Sequence, residues 1–289
     1  MTNLLTADFL RGWPLPLPAD GDKHARGTVL VVGGSPQTPG AAVLAGLAAL
    51  RAGAGRLQIA TAAVAAPNLA VAMPEALVQG LPTTAMGGLA LPDDRGPLRA
   101  AASEADALVI GPGLTDLEAT TGLTSWLLDH VSAETIVVID ALAIAVLPTI
   151  GSRVGPSRGR LVLTPNAQEI HALAPGLDSD EAPHRQAVAA ADATGAIVTL
   201  HGHVAAPDGR SWMAAGGGLG LGTSGSGDVL AGFAAGIGAR CGDAAQAACW
   251  AAHLHSAAGD RLSARLGPVG FLAREIADEA PGILAAVSG

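Results

Sequence analysis

The chain has 289 residues, 49% hydrophobic and 14% charged, with a net charge of -9 and a mean hydropathy of +0.41. That length can bury a full core without staples. The composition excludes a disordered chain, and the lack of a basic footprint excludes a nucleic-acid polymer as partner.

Much of the hydropathy is alanine. The longest apolar runs, Gly40 to Leu50 and Val229 to Ala239, have 11 residues each and end at Arg51 and Arg240. A membrane span needs about 18 or more, so no membrane is expected. Met1 to Asp20 carries Asp8, Arg11 and three prolines, without the basic start and apolar core of a signal peptide. Residues 1–22 read as an amino-terminal arm and residues 23–289 as one domain, since no linker divides the rest.

In chain order, Thr28 to Val32 reads as a strand ending at Gly33-Gly34, and Ala41 to Ala52 as the helix after it. Further strands are expected at Arg56 to Thr61, Ala107 to Ile110, Thr135 to Asp140, Arg160 to Thr164 and Ala196 to Leu200. Short apolar runs separated by helical stretches signal strands buried on both faces of a parallel sheet. The fold class is therefore α/β, a mostly parallel central sheet with helices on both faces. From Asp228 onward the chain reads as helices over Asp228 to Arg240, Asp243 to Leu266 and near Phe271 to Ala280. Cys241 and Cys249, eight residues apart in helical sequence, would lie about 12 Å apart along one helix, too far for a disulfide. A reducing cytoplasm follows.

Ligands bind open parallel sheets at the carboxyl ends of the strands. Gly33-Gly34-Ser35, Gly111-Pro112-Gly113, Asp140, Thr164-Pro165-Asn166 and His201-Gly202-His203 all fall there. The strongest segment is Gly216 to Gly236, GGGLGLGTSGSGDVLAGFAAG. Seven of the twelve residues from Gly216 to Gly227 are glycine, and an apolar helix follows. Glycines let backbone N–H groups converge on an anion, and a helix amino terminus adds partial positive charge. Asp228 stands at that terminus. A bare cap would need one residue rather than a run of glycines, so the segment reads as an anion site.

Gly220 to Gly225 also fits G-x-G-x-x-G. That fingerprint must follow a buried strand, and Trp212-Met213-Ala214-Ala215 is a poor one. His253 and His255, two apart on a helix, face different directions. His201 and His203 could share a strand face but lack further ligands nearby, so no transition-metal site is expected.

Gly225-Ser226-Gly227-Asp228 resembles the Gly-x-Gly-Asp turn of the ribokinase-like superfamily. Within it, the chain from about Lys23 onward resembles the ADP-dependent NAD(P)H-hydrate dehydratase family. The matching segments are HARGTVLVVGGSPQTPGAAVLAGLAALRAGAG, MPEALV, VIGPGL, VIDALAIAVL, LTPNAQEI, TSGSGDVLAG and AAHLHSAAGD. The resemblance implies a metabolite-repair reaction. The hydroxyl of the S-form of NADHX or NADPHX is phosphorylated from ADP (or ATP) as co-substrate, then phosphate is eliminated to restore NAD(P)H. With ADP the other products are AMP and phosphate.

It further implies Asp228 as the catalytic base. Ala41, Gly113, Asn166 and Asp228 would line the hydrate site. His201, Gly202, His203, Val204 and Ala205 would contact the nucleotide, together with Gly225, Ser226 and Gly227. A homo-oligomer, a tetramer, is implied as well. Two positions depart from the family pattern: Asn166 stands where T-P-H is usual, and His201-Gly202 where Lys-Gly is usual. Asn166-Ala167-Gln168-Glu169 also reads as the N-x-x-E of ribokinase-like sugar and vitamin kinases, where Glu169 would organise Mg2+ and phosphate. A small-molecule kinase and a non-catalytic nucleotide-binding relative therefore stay open as alternatives. The intact Asp228 turn argues against pure binding, which needs no base.

Overall fold

Ten strands form one sheet: β1 (Thr2–Leu4), β2 (Thr28–Val32), β3 (Arg56–Ala62), β4 (Ala76–Leu81), β5 (Ala107–Ile110), β6 (Ile136–Ile139), β7 (Leu161–Leu163), β8 (Ile197–Leu200), β9 (His203–Ala205) and β10 (Ser211–Met213). They are seen in a computed structural model that describes residues 2–17, 22–151, 159–178 and 180–288. Met1 and residues 18–21 of the expected arm lie outside these. The strand order is β1-β10-β9-β8-β7-β6-β5-β2-β3-β4. From β8 to β4 all neighbours are parallel; β9 is antiparallel to β8 and β10, and β1 runs parallel to β10. The central strands β2, β5 and β6 are buried at every residue, as their unbroken apolar sequences require.

The helices are α1 (Ala7–Arg11), α2 (Gly40–Arg51), α3 (Ala66–Ala72), α4 (Gly96–Glu104), α5 (Leu117–Leu128), α6 (Leu142–Ile150), α7 (Ile170–Leu173), α8 (Pro183–Thr194), α9 (Ser226–Cys241), α10 (Ala244–Leu266) and α11 (Ala273–Ser288). One layer is built from α2, α9, α10 and α11, and α5 to α8 form a contiguous row. Right-handed crossovers put that row on the opposite face. The chain leaves β2 toward β3 and β4, then returns past β2 to β5 and continues the other way. The strand order therefore reverses between β2 and β5, which makes that crevice the switch point.

Two glycines of α9 set how close the first layer packs. A Cβ at Gly232 would lie 2.2 Å from the Ala45 carbonyl oxygen, and one at Gly236 would lie 2.3 Å from that of Ala49. Backbones of α2 and α9 therefore touch, which fixes their amino termini side by side. Gly236→Val should separate them, at a cost of about 3 kcal/mol for overpacking. A chemical-denaturation midpoint unchanged from wild type would contradict this contact.

The amino-terminal residues are tied to the body. Thr2 to Leu4 pair with Ser211 to Met213. The Trp13 carbonyl accepts from Trp250 Nε1 at 3.0 Å and from Gln246 Nε2 at 2.9 Å. Leu5 and Leu10 are buried.

Three expectations need correction. Residues around Trp212 do form a strand, β10. It is only three residues long, and its Trp212 is held by burial and pairing rather than by a strand-like sequence. Cys241 ends α9 and Cys249 lies in α10, with a left-handed Gly242 between them, so they do not share one helix; both are free. His201 and His203 do not share a strand face either. His201 (φ 48°) and Gly202 (φ 79°) are the two-residue turn between β8 and β9, the dihedral signature of a type I′ hairpin.

Candidate active site

The carboxyl ends of β2, β3 and β5 are laced into one rim. Gly34 N donates to the Pro112 carbonyl (2.8 Å), and Ser35 N to that of Gly113 (2.9 Å). Thr38 Oγ1 donates to the Gly113 carbonyl at 2.9 Å, and Thr61 Oγ1 to that of Gly34 at 2.9 Å. A Cβ at Gly113, which has φ 68°, would lie 3.0 Å from Ala41 Cβ. Ala41 and Gly113 thus stand together over the switch point between β2 and β5.

Next along the rim comes Asp140, directly after β6. Its N–H bonds the Ile110 carbonyl, and its Oδ1 accepts from Thr164 Oγ1 at 2.7 Å. A Cβ at Gly111 would lie 1.8 Å from the Asp140 carbonyl oxygen, so this close approach demands glycine. Burial raises the Asp140 pKa to about 6, against the Thr164 hydroxyl, which lowers it, and with Glu169 adding like charge. Ala141, the next residue, holds φ 49° without being glycine, a strained conformation of the kind that collects at functional sites.

After β7, Asn166 and Glu169 close a reciprocal cap. Asn166 Oδ1 accepts from the N–H groups of Gln168 (2.8 Å) and Glu169 (2.9 Å), while Glu169 Oε2 accepts from Asn166 N at 3.0 Å. This is a capping box, and it accounts for the N-x-x-E spacing without a kinase. Burial still raises the Glu169 pKa.

Facing these carboxyls is the start of α9. Gly225, at φ 87°, holds a left-handed conformation that side chains rarely adopt, and a Cβ there would also press on Leu44 Cδ1 at 2.4 Å. Ser226 N bonds the Thr223 carbonyl and Val229 N that of Gly225. The N–H groups of Gly227 and Asp228 lack intrahelical acceptors by helix geometry. Gly227 is unlike its neighbours: a Cβ there would meet nothing within 4 Å. Asp228 has its pKa raised to about 7, first by burial and then by the negative charge of Asp140 and Glu169. Among the described residues no arginine, lysine or histidine forms an ion pair with Asp140, Glu169 or Asp228.

The expected nucleotide residues assemble beside this. The His201-Gly202 turn is tied down by Ala214 N bonding the Gly202 carbonyl at 2.9 Å, and Gly216 to Gly218 follow at once, all with positive φ. Hairpin turn and glycine loop are therefore neighbours. Val204 and Ala205 are each 1% exposed and pair on both sides within the sheet. Of the stretch from His201 to Ala205, the surface part is His201, Gly202 and His203. The His203 and His184 rings lie 5.9 Å apart, and burial, with those neighbouring histidines, lowers the His203 pKa.

One residue escapes sequence reasoning. His255, on α10, places Nε2 2.8 Å from Ser226 Oγ and 3.1 Å from the Ser226 carbonyl oxygen. His253 points elsewhere, with Nδ1 3.2 Å from the Leu5 carbonyl. No group of three or more His, Cys, Asp or Glu among the described residues is placed to hold a metal ion unaided. Three carboxyls with raised pKa values and no cation partner instead suit a cation that arrives on phosphate.

The profile of the NAD(P)H-hydrate dehydratase family matches residues 29–282. The chain is 49% identical to the ADP-dependent (S)-NAD(P)H-hydrate dehydratase of Xanthomonas campestris pv. campestris, over 97% of this chain and 95% of that one. It is similar to the crystal structure of a ribokinase-like superfamily protein from Enterococcus faecalis V583, with a TM-score of 0.85, 25% identity, and 99% and 96% of the two chains covered. It is also similar to an ADP/ATP-dependent NAD(P)H-hydrate dehydratase from Bacillus subtilis, co-crystallised with ATP/Mg2+. That match has a TM-score of 0.77 and 25% identity, and covers 99% of each chain.

Proposed function

The chain belongs to the NAD(P)H-hydrate dehydratase family, and from that premise we propose a mechanism in which Asp228 is the base. The reaction is the nucleotide-dependent dehydration of (S)-NAD(P)H hydrate to NAD(P)H, on a ribokinase-like α/β fold. The observation that carries the assignment is the Asp228 carboxyl, held near pKa 7 at a helix start whose N–H groups face outward.

The hydrate lies over Ala41 and Gly113, with Asn166 at its edge and its hydroxyl against Asp228. Asp228 takes the hydroxyl proton as the oxygen attacks the terminal phosphorus of the nucleotide, and AMP leaves when the donor is ADP. Gly227 donates its free backbone N–H to the transferring phosphate, whose charge the α9 terminus also stabilises. The ring nitrogen then pushes its electron pair toward the C–O bond. Phosphate departs, a ring proton is lost, and the dihydropyridine is restored. Hydroxide is a poor leaving group and phosphate a good one, which is why the nucleotide is consumed.

His201, Gly202 and His203 support the nucleotide from the β8–β9 turn. Mg2+ fits the arrangement: Asp140 and Glu169 would face it, and it would neutralise phosphate charge. A homotetramer in a reducing cytoplasm completes the reading, and light scattering tests its assembly state.

The test is incubation with (S)-NADHX and ADP or ATP while dihydronicotinamide absorbance recovers. No recovery with either nucleotide overturns the reading. A base works only when ionised, so turnover should rise with pH through about 7, the Asp228 value. Below it, kcat/KM, which reports the ligand-free enzyme, should fall about tenfold per pH unit. A flat profile from pH 5.5 to 8.5 removes the ionised Asp228 from the rate-limiting step.

A further inference from the structure

Helix α10 touches the glycine-rich loop at two polar points. His255 meets Ser226, as described. One and a half turns on, Asp260 Oδ1 accepts from Gly217 N at 2.8 Å. Between them Gly259 lets the loop lie flat on the helix: its Cβ would be 2.6 Å from the Gly217 carbonyl oxygen and 2.7 Å from Leu221 Cγ. A Cβ on Gly216 would lie 1.9 Å from Asp260 Oδ2. The loop is thus pinned at both ends by one rigid element.

The bond at Ser226 matters most. Ser226 is the first residue of α9 and lies between left-handed Gly225 and the Gly227-Asp228 pair. Burial pushes the His255 pKa down to about 4, so the ring is neutral at working pH. A neutral imidazole nitrogen carries either a proton or a lone pair. If Nε2 is protonated it donates to the Ser226 carbonyl; if not, it accepts from the Ser226 hydroxyl. Either tautomer fixes the residue that aims the Gly227 N–H and the Asp228 carboxyl. A side chain needed only for packing would not place a polar atom on both oxygens of Ser226.

We propose that His255 is a positioning residue, which orients the Gly225-Ser226-Gly227-Asp228 turn through Ser226, with Asp260 anchoring the other end of the loop at Gly217. This rests on the dehydratase reading above. His255 touches neither hydrate nor nucleotide; its effect passes through the turn.

The test compares His255→Leu, which keeps bulk and loses both bonding options, with His255→Gln, whose amide can donate or accept. In His255→Leu, kcat should fall about 10- to 100-fold, the usual cost of small misplacement. The hydrate KM should stay within about threefold, since the contacts at Ala41, Gly113 and Asn166 are untouched. His255→Gln should restore kcat to within about fivefold of wild type. The pH midpoint near 7, which belongs to Asp228, should stay in place.

Hydrogen–deuterium exchange on the nucleotide-free protein gives a second readout that needs no turnover. Amides 226 and 229, bonded to the Thr223 and Gly225 carbonyls, should exchange faster in His255→Leu and return toward wild type in His255→Gln, with the rest of α9 unchanged. Wild-type kcat and unchanged exchange in a folded His255→Leu protein overturn the proposal, as does Gln performing no better than Leu. An inactive wild type would sink the dehydratase reading instead, and the exchange data would still judge His255.

Discussion

Asp228→Asn is expected to lower turnover about 100- to 10,000-fold, the usual range for loss of a general base, while making the protein more stable at alkaline pH. The loss of turnover is what tests the base, because Asp228 is the third residue of α9, after the N-cap Gly225, and an Asp228 outside the chemistry would leave turnover near wild type when replaced by isosteric Asn. The stability gain follows from linkage. Burial and the charges of Asp140 and Glu169 raise the folded pKa from 3.8 to about 7. The ionised form is therefore disfavoured in the fold. That carboxyl contributes its full stability below the unfolded value and loses it as pH rises through 7. The shift sets an upper bound of about 4 kcal/mol; coupling among the three carboxyls and partial exposure reduce the realised gain to about 1–2 kcal/mol. An amide at this position has no ionisation to lose. Melting curves of both proteins at pH 5 and pH 8.5 should diverge on the alkaline side and converge toward acid. A variant with near-wild-type turnover ends the assignment of Asp228 as base.

How much of this was legible beforehand depends on which physical signal each part carries. Strands buried on both faces spell themselves out: β2 and β5 lie where continuous apolar runs put them, because both faces must be apolar. Three-residue strands outside the parallel run carry no such signal. Of these, β1, β9 and β10 exist because each finds a partner in the sheet, and the hairpin β8–β9 is set by two positive-φ residues rather than by periodicity. The half-exposed β4 was equally silent.

At the site, the glycine-rich run stood out, but the separate jobs of its glycines did not. Gly220 is needed because a Cβ would lie 2.3 Å from the Phe271 ring, and Gly225 because of Leu44; both neighbours are far off in sequence. Likewise Asn166-x-x-Glu169 has the same letters whether it caps a helix or faces a cation. His255 was hidden because its partner Ser226 is 29 residues upstream, on another helix. Beside His253 it reads only as half of a failed metal pair.

The largest effect expected at a position the fold itself does not constrain is that of Gly227→Val. Of the two glycines Gly225 and Gly227, the second could take a side chain freely: its φ is not positive, and its Cβ would meet nothing within 4 Å. In a helix, glycine costs roughly 0.5–1 kcal/mol relative to alanine, so the fold alone would favour replacing it. Open space above the first turn of α9 is what a phosphate needs if it is to reach the backbone N–H groups there. A branched side chain would occupy that space and keep the anion away. Gly227→Val should therefore melt within a few degrees of wild type and lose about 100-fold or more in kcat/KM for the nucleotide, the scale of one lost oxyanion donor. Gly227→Ala should fall between the two. Gly225→Ala provides the contrast: φ 87° and the Leu44 clash predict a loss of stability of about 1–3 kcal/mol, which Gly227→Val should not show. Circular dichroism melts and nucleotide kinetics on all three variants separate the two classes of glycine. A folded Gly227→Val protein with full activity would place the transferring phosphate somewhere other than the start of α9.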